Sequence, residues 1–227
     1  MNQSCLSKCE SIDGFRKKIA ENDCNRLARS NHTYELDTNS YNTIINDYIN
    51  KYSIFDTIDV VQIHPSAENN YPHTRPDVIC IPSNARFPSL ITTLFHEAIH
   101  IHQRRNASSW KRFLDKEKWN IVTEKIPERW VERCRINPDT LMVPFWSFEN
   151  RYVPLPIFLN TYSPVFDEVK VMWYDLETGL LEHNPPKSFI KKYGDNRQSE
   201  HPYEIYAVIM ESLGPISEDD INNFISA

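Results

Sequence analysis

His96, Glu97 and His100 form the motif His-Glu-x-x-His, whose residue types and spacing are suited to metal chemistry. On an α-helix, side chains four residues apart lie on one face about a turn apart, so the two imidazoles can hold one zinc ion. Glu97 lies beside the first imidazole and can take a proton from a zinc-bound water. The motif therefore predicts one zinc ion per chain, with Glu97 as the general base.

The residues around the motif, 90–105, have the periodicity of an amphipathic helix. Pro88 and Ser89 are typical of a first turn, and neither Pro nor Gly interrupts the run. The apolar members recur at spacings that place them on one stripe: Leu90, Ile91, Leu94, Phe95, Ala98 and Ile99. His96 and His100 lie off that stripe, so we expect one face of the helix to pack in a core while another carries the ligands.

Two histidines leave the predicted site one ligand short, because a catalytic zinc generally takes three protein ligands. A third His at the spacing H-E-x-x-H-x-x-G-x-x-H is absent, since Gln103 and Asn106 occupy the positions that require Gly and His. His102 is only two residues from His100, so it faces another side of the helix and is expected to be structural. A carboxylate from a second helix is the remaining common solution.

The predicted helix 202–213 offers the best such carboxylate, that of Glu204. Ala207 is small and would let another helix approach closely at that point. Glu211, nearly two turns later on a similar face, is the second candidate. A carboxylate in a first helical turn can also serve only the helix dipole. Three carboxylates nearer in sequence remain open alternatives: Glu124, Glu128 and Glu132.

The segment HEAIH, followed far downstream by EIYAVIMESLGP, resembles the gluzincin metallopeptidases. The likeness is greatest to the Mlc titration factor family, whose glutamate helix has the form E-F-F-A-V-x-x-E. The catalytic domain of anthrax lethal factor and the minigluzincins are more distant relatives of the same type. The resemblance implies zinc bound by His96, His100 and Glu204, with Glu97 as general base. The spacer between the two motifs is longer in this chain than is usual for those families, so the resemblance does not explain residues 106–200.

The remaining patterns predict the elements that position these residues. Helical patterns cover residues 1–30 and 38–51, and strands are predicted at 58–63 and 77–81 with a loop at 64–76. Beyond the metal helix, the patterns predict helices at 110–122 and 127–134. They also predict an extended segment at 146–158, a hairpin at 168–183 and a loop at 184–198.

Together these elements predict the α+β class, and the resemblance to the gluzincins implies a zincin-like fold. In that fold a small mixed sheet packs on the metal helix and on the later glutamate-bearing helix. Residues 1–227 are expected to form one domain, with an N-terminal helical arm at 1–37 and a largely helical insertion at 106–200.

Composition limits the partners and the location. The net charge of -6 argues against a nucleic-acid or anionic-membrane partner. No apolar run approaches the length of a membrane span, and the polar residues at 1–18 lead us to expect no secretory signal. Five cysteines without a C-x-x-C pair favour reduced thiols. We therefore expect a cytoplasmic or other reducing intracellular compartment and no membrane partner.

The expected function is zinc-dependent hydrolysis of peptide bonds in a protein or peptide substrate. A further donor is expected to stabilise the oxyanion, and Tyr193, Tyr203, Tyr206 and His201 are open candidates. None of them is assigned to the site, because the sequence favours a structural role for each. One alternative is a catalytically inactive zincin-fold protein that binds a partner through the aromatic-rich residues 141–174. Another is a protease that acts on nucleic-acid-bound proteins. The intact Glu97 counts against the first, and the acidic balance counts against the second.

Overall fold

The structure is a computed structural model that describes residues 3–37, 43–86, 89–194 and 199–227. Ten α-helices lie in these residues: α1 (Gln3–Asp13), α2 (Phe15–Glu21), α3 (Asp23–Ala28), α4 (Thr43–Ile49), α5 (Ser89–Arg105), α6 (Ala107–Lys116), α7 (Glu128–Val131), α8 (Lys187–Tyr193), α9 (Pro202–Glu211) and α10 (Glu218–Ser226). Eight strands lie there as well: β1 (Asp59–Ile63), β2 (His73–Arg75), β3 (Val78–Pro82), β4 (Trp119–Ile121), β5 (Trp146–Phe148), β6 (Tyr152–Phe158), β7 (Val169–Asp175) and β8 (Leu181–Glu182). The α+β class is confirmed.

Contacts between Cα atoms divide the chain into two units. The first contains the described residues of Met1–Arg16, Asn31–Ser109 and Ala207–Ala227, and the second contains those of Lys17–Ser30 and Trp110–Tyr206. The division passes inside α9, which continues through it as one uninterrupted helix.

The first unit is built on a three-stranded mixed sheet in the order β1-β3-β2. β1 runs parallel to β3, with Asp59 opposite Val78, and β2 runs antiparallel to β3. Every residue of β3 is buried because this strand lies in the centre of the sheet. The small mixed sheet is therefore confirmed, but the prediction of a loop over 64–76 is wrong at β2. That strand reads His-Thr-Arg and carries no apolar signal.

Helix α5 packs against β2 and β3, and its apolar stripe supplies much of the first unit's core. The predicted helix 90–105 is confirmed within one residue. α1 is tied to β2 by Arg75, whose guanidinium lies 2.6 Å from the carboxylate of Asp13 and 3.0 Å from that of Glu10. Both Arg75 and Asp13 are buried, so their charges are paired where water cannot screen them.

The second unit is built on a five-stranded antiparallel sheet in the order β4-β5-β6-β7-β8. β6 and β7 pair along their whole length, from Tyr152 opposite Asp175 to Phe158 opposite Val169. Because side chains alternate across a strand, one face of β6 enters an apolar cluster with β7 while the other face presents Pro154 and Pro156.

The predicted "largely helical" insertion at 106–200 is therefore wrong. The predicted helix 110–122 ends at Lys116, because Lys118 has a φ of 69° and leaves the helical conformation. The residues that follow form β4 instead. The predicted loop 184–198 is also wrong in part, since α8 occupies its middle and buries Phe189. The hairpin 168–183 is confirmed. The extended segment 146–158 is confirmed only in part, because a turn at 149–151 divides it into the antiparallel strands β5 and β6.

Other predictions are met only in part. α4 confirms part of the predicted helix 38–51, whereas residues 38–42 and Pro88 lie outside the described residues. α10 has no counterpart in the sequence prediction, although Ser217 and Asp220 form a capping box at its start. All five cysteines are free thiols. Within the described ranges, no helix has both the length and the apolar character that crossing a membrane requires.

Candidate metal centre

α5 places His96 and His100 one turn apart with their rings facing each other. The ring centroids lie 4.8 Å apart, and the two Nε2 atoms lie 3.0 Å apart. His100 is buried, whereas the side chain of His96 is 13% exposed. Glu97 follows His96 on the same helix and is buried. The helical spacing therefore brings two nitrogen donors to one point, and the buried Glu97 is the next residue after His96.

The outer nitrogen of each ring is held by an oxygen. His96 Nδ1 lies 2.8 Å from Glu211 Oε2, and His100 Nδ1 lies 2.8 Å from Gln103 Oε1. The carboxylate of Glu211 and the amide oxygen of Gln103 can only accept hydrogen bonds, so each Nδ1 carries the proton. In the neutral rings, both Nε2 atoms are then left with lone pairs, which is the tautomer that metal-ligating histidines adopt.

The distance between the Nε2 atoms tests whether a zinc ion fits. Two lone pairs that face each other across 3.0 Å repel unless a positive charge lies between them. Two nitrogens bound to one tetrahedral zinc would lie about 3.3 Å apart, given zinc–nitrogen bonds of about 2.0–2.1 Å. The observed separation differs from this value by only a few tenths of an ångström. The two histidines therefore fit a zinc ion as they stand.

Glu204 on α9 offers a third potential ligand atom. One donor atom each from His96, His100 and Glu204 lies within 4.8 Å of the others. Among the described residues, these three form the one group of His, Cys, Asp or Glu side chains whose arrangement could hold a metal ion. The donor set of two imidazoles and one carboxylate is one that zinc commonly takes at catalytic sites.

The carboxylate of Glu204 is oriented by Asn137. Asn137 Nδ2 donates to Glu204 Oε1 and to Glu200 Oε1, each at 2.7 Å. The other side of the amide is fixed as well, because its Oδ1 accepts the backbone N–H of Asp139 at 3.0 Å. Glu200 is in turn paired with Arg135 at 2.5 Å. Asn137 therefore holds one oxygen of the Glu204 carboxylate in a fixed direction.

The other carboxylates considered from the sequence lie elsewhere. Glu211 is on the same face of α9 as Glu204 but contacts the outer nitrogen of His96 rather than forming part of the three-residue group. Glu124, Glu128 and Glu132 are exposed and are not members of that group. His102 is buried, and its pKa is lowered by that burial, while a hydrogen bond with Asn222 and the nearby Glu218 oppose the shift.

Two of the four candidate oxyanion donors are engaged in a polar network of the second unit. The hydroxyl of Tyr206 donates to Glu117 Oε2 at 2.6 Å and lies 3.0 Å from the hydroxyl of Tyr193. Burial, reinforced by the bond to Glu117, raises the pKa of Tyr206. Burial would raise the pKa of Glu117, but its bonds with Lys192 and Tyr206 lower it on balance. These hydroxyls would have to leave existing bonds to reach a substrate.

The other two candidates, Tyr203 and His201, adjoin Glu204 in sequence. The ring of Tyr203 is buried between Trp110 and Trp146. The backbone N–H of Tyr203 donates to His201 Nδ1 at 3.1 Å, which leaves the ring proton of neutral His201 on Nε2. His201 can therefore act as a hydrogen-bond donor next to the helix that carries Glu204.

Sequence reasoning did not find the residues that orient the ligands. Gln103 was visible only as a polar residue on the histidine face, three positions after His100. Asn137 precedes Pro138, and this pair reads as a turn signal rather than as part of a site. Its contact with Glu204, 67 positions later, exists only in the folded chain.

No family model matches the chain, and neither a curated protein nor a solved structure is significantly similar to it. The two motifs and the geometry that surrounds them are therefore the features that indicate a function.

Proposed function

We propose that the chain is a zinc-dependent peptide hydrolase of the gluzincin type, with zinc held by His96, His100 and Glu204. The observation that carries the proposal is the facing pair of Nε2 atoms, 3.0 Å apart, in rings whose Nδ1 atoms are both bound to oxygens. A histidine pair that served only to pack the helix would not leave two unprotonated nitrogens facing each other.

Zinc bound there would supply Lewis acidity, lowering the pKa of a water molecule and polarising a substrate carbonyl. Glu97 adjoins this point, because it follows His96 directly and is buried on the same helix. As a general base it would accept the proton of the attacking water and then pass that proton to the leaving amine. The surrounding burial keeps bulk water from competing for the carboxylate.

The side chains behind the ligands hold them in the required orientation. Glu211 and Gln103 fix the ring planes of His96 and His100, and Asn137 fixes the carboxylate of Glu204. Such outer partners set the tautomer of a ligating histidine and increase its basicity. Each of the three ligands in this chain has one.

The proposal is tested by digesting a proteome-derived peptide library with the zinc-loaded wild type and with Glu97→Gln. The amide cannot accept the water proton, so we expect hydrolysis to fall by about 10²-fold or more while zinc content stays at one ion per chain. Glu124→Gln is the matched control: the same change at an exposed carboxylate should leave the rate unchanged.

Zinc-loaded wild type that cleaves nothing in the library would support a zincin-fold binding protein instead. Activity of Glu97→Gln within a few-fold of the wild type would show that the base lies elsewhere. Both results would overturn the proposed mechanism.

A further inference from the structure

A cavity of about 300 Å³ lies within the second unit, between strand β6 and residues 131–146. Its walls are mostly apolar. Pro154 and Pro156 line one side, and Leu141, Val143, Phe145 and Trp146 line another. The volume is at the lower end of the range of ligand pockets, roughly 300–1,000 Å³, so the cavity has room for a single large side chain.

The polar end of the cavity carries no unbalanced charge. Arg135 and Glu200 line it together and form an ion pair at 2.5 Å, and their side chains are only 17% and 9% exposed. Asn137 also lines this end and donates to Glu200. Because the two charges neutralise each other, the cavity offers no partner to a charged ligand group.

The same polar end adjoins the candidate metal ligand. Asn137, which lines the cavity, donates to Glu204 Oε1 at 2.7 Å. His201, also on the lining, is three residues before Glu204 and immediately before α9. The cavity therefore lies one side chain away from the carboxylate of Glu204.

Trp146 lines the cavity and carries a buried indole N–H. The side chain is 3% exposed, and its indole N–H has no acceptor among the described residues. Because the nitrogen itself has almost no exposed surface, the indole N–H is not a contact for a ligand. Its position in the cavity wall makes its NMR signal a reporter of any group that fills the cavity.

We propose that this cavity is a specificity pocket that receives one uncharged, apolar side chain of the peptide substrate, aromatic or large aliphatic. This proposal rests on the proposed function, because a peptide substrate implies a peptide hydrolase. The binding of an apolar peptide group to the cavity can be measured without catalysis. All of the lining residues come from segments 131–156 and 200–201, which belong to the region that the two zincin motifs do not explain.

The binding test uses full-length Glu97→Gln protein labelled with ¹⁵N, titrated with N-acetyl-phenylalanine amide and, separately, with N-acetyl-aspartate amide. The indole N–H signal of Trp146 is assigned by its loss in Trp146→Phe. We expect the phenylalanine amide to shift this signal and the aspartate amide to leave it in place. Absence of a shift with the phenylalanine amide would overturn the proposal.

Val143→Trp fills the cavity, and Val165→Trp is the matched control because Val165 is 44% exposed and does not line it. In Val143→Trp we expect the Trp146 shift to disappear. We also expect the library preference for large apolar side chains at one position to weaken by about tenfold or more. Zinc content should equal that of the wild type in both variants, and Val165→Trp should retain the preference.

The two proposals fail in distinguishable ways. If the zinc-loaded wild type cleaves nothing, the proposed function fails and the amide titration alone decides whether the cavity binds apolar groups. If the wild type cleaves peptides but Val143→Trp keeps the same preference and the same shift, the peptidase stands and the specificity pocket is refuted.

Discussion

The histidine pair and Glu204 reach one cluster by different routes. His96 and His100 are placed by a single helix, since a spacing of four residues puts both rings on one face. Even the acceptor of His100, Gln103, comes from the same turn of that helix. The carboxylate of Glu204 is instead held by Asn137, 67 positions earlier in the chain.

The difference shows where the site is robust and where it is vulnerable. A pair set by helical spacing forms whenever the helix forms. A carboxylate held through a loop depends on every contact that orients the loop. For Asn137 those contacts are the backbone N–H of Asp139 and the carboxylate of Glu200, itself paired with Arg135. We therefore call His96 and His100 the local half of the site, and Glu204 with Asn137 the non-local half.

Breaking the local half should have the largest effect. His100→Ala removes a ligand and leaves two donors, so we expect zinc affinity to fall by more than about 100-fold, beyond the range for outer partners. His96→Ala should behave alike. Metal analysis after purification without chelator, followed by competition with a chromogenic chelator, measures the change. A His100→Ala protein that still holds one zinc per chain at wild-type affinity would contradict the assignment.

Glu204→Ala should weaken zinc binding more than Glu211→Ala does. Glu204 is expected to contact the metal, whereas Glu211 contacts only the outer nitrogen of His96. For Glu211→Ala we expect a loss of about 10–100-fold, and for Glu204→Ala a larger one. Glu211→Gln keeps an oxygen acceptor and should recover most of the affinity. The reverse order, with Glu211 the more important residue, would move the third ligand to Glu211.

Asn137→Leu should have the smallest effect on zinc affinity, and it tests the non-local half of the site alone. The buried Glu204 and the half-buried Glu200 each lose a donor, so we expect zinc affinity to fall by about tenfold. The free energy of unfolding should also fall, by about 1–3 kcal/mol. Asn120→Leu, the same change in the same unit, is the control and should leave zinc affinity intact. Chelator competition and urea unfolding give the two values, and unchanged zinc affinity in Asn137→Leu would remove Asn137 from the site.

The same division separates what the sequence predicted from what it did not. The apolar stripe of α5 predicted the helix and the shared face of its two histidines, because helical periodicity is a local property. The apolar run of α9 predicted the helix that bears Glu204 in the same way. The distance between Glu204 and the two histidines is not encoded in either stripe.

Non-local pairing explains the errors in the region 106–200. Trp119 continued the apolar spacing of the helix before it, yet it lies in β4 opposite Phe148. β2 was missed because His73, Thr74 and Arg75 are polar residues buried by partners distant in sequence, such as Asp13. Strand formation at these positions depends on neighbours that local periodicity does not reveal.

The central claim is that His96, His100 and Glu204 bind one zinc ion, and a crystal structure of the zinc-loaded protein tests it most directly. Anomalous scattering at the zinc edge locates the ion without assumption about its ligands. The account predicts one site per chain, with the Nε2 atoms of both histidines and a carboxylate oxygen of Glu204 roughly 2.0–2.2 Å from the ion. Zinc bound elsewhere, or at the two histidines with Glu204 turned away and another carboxylate in its place, would contradict it.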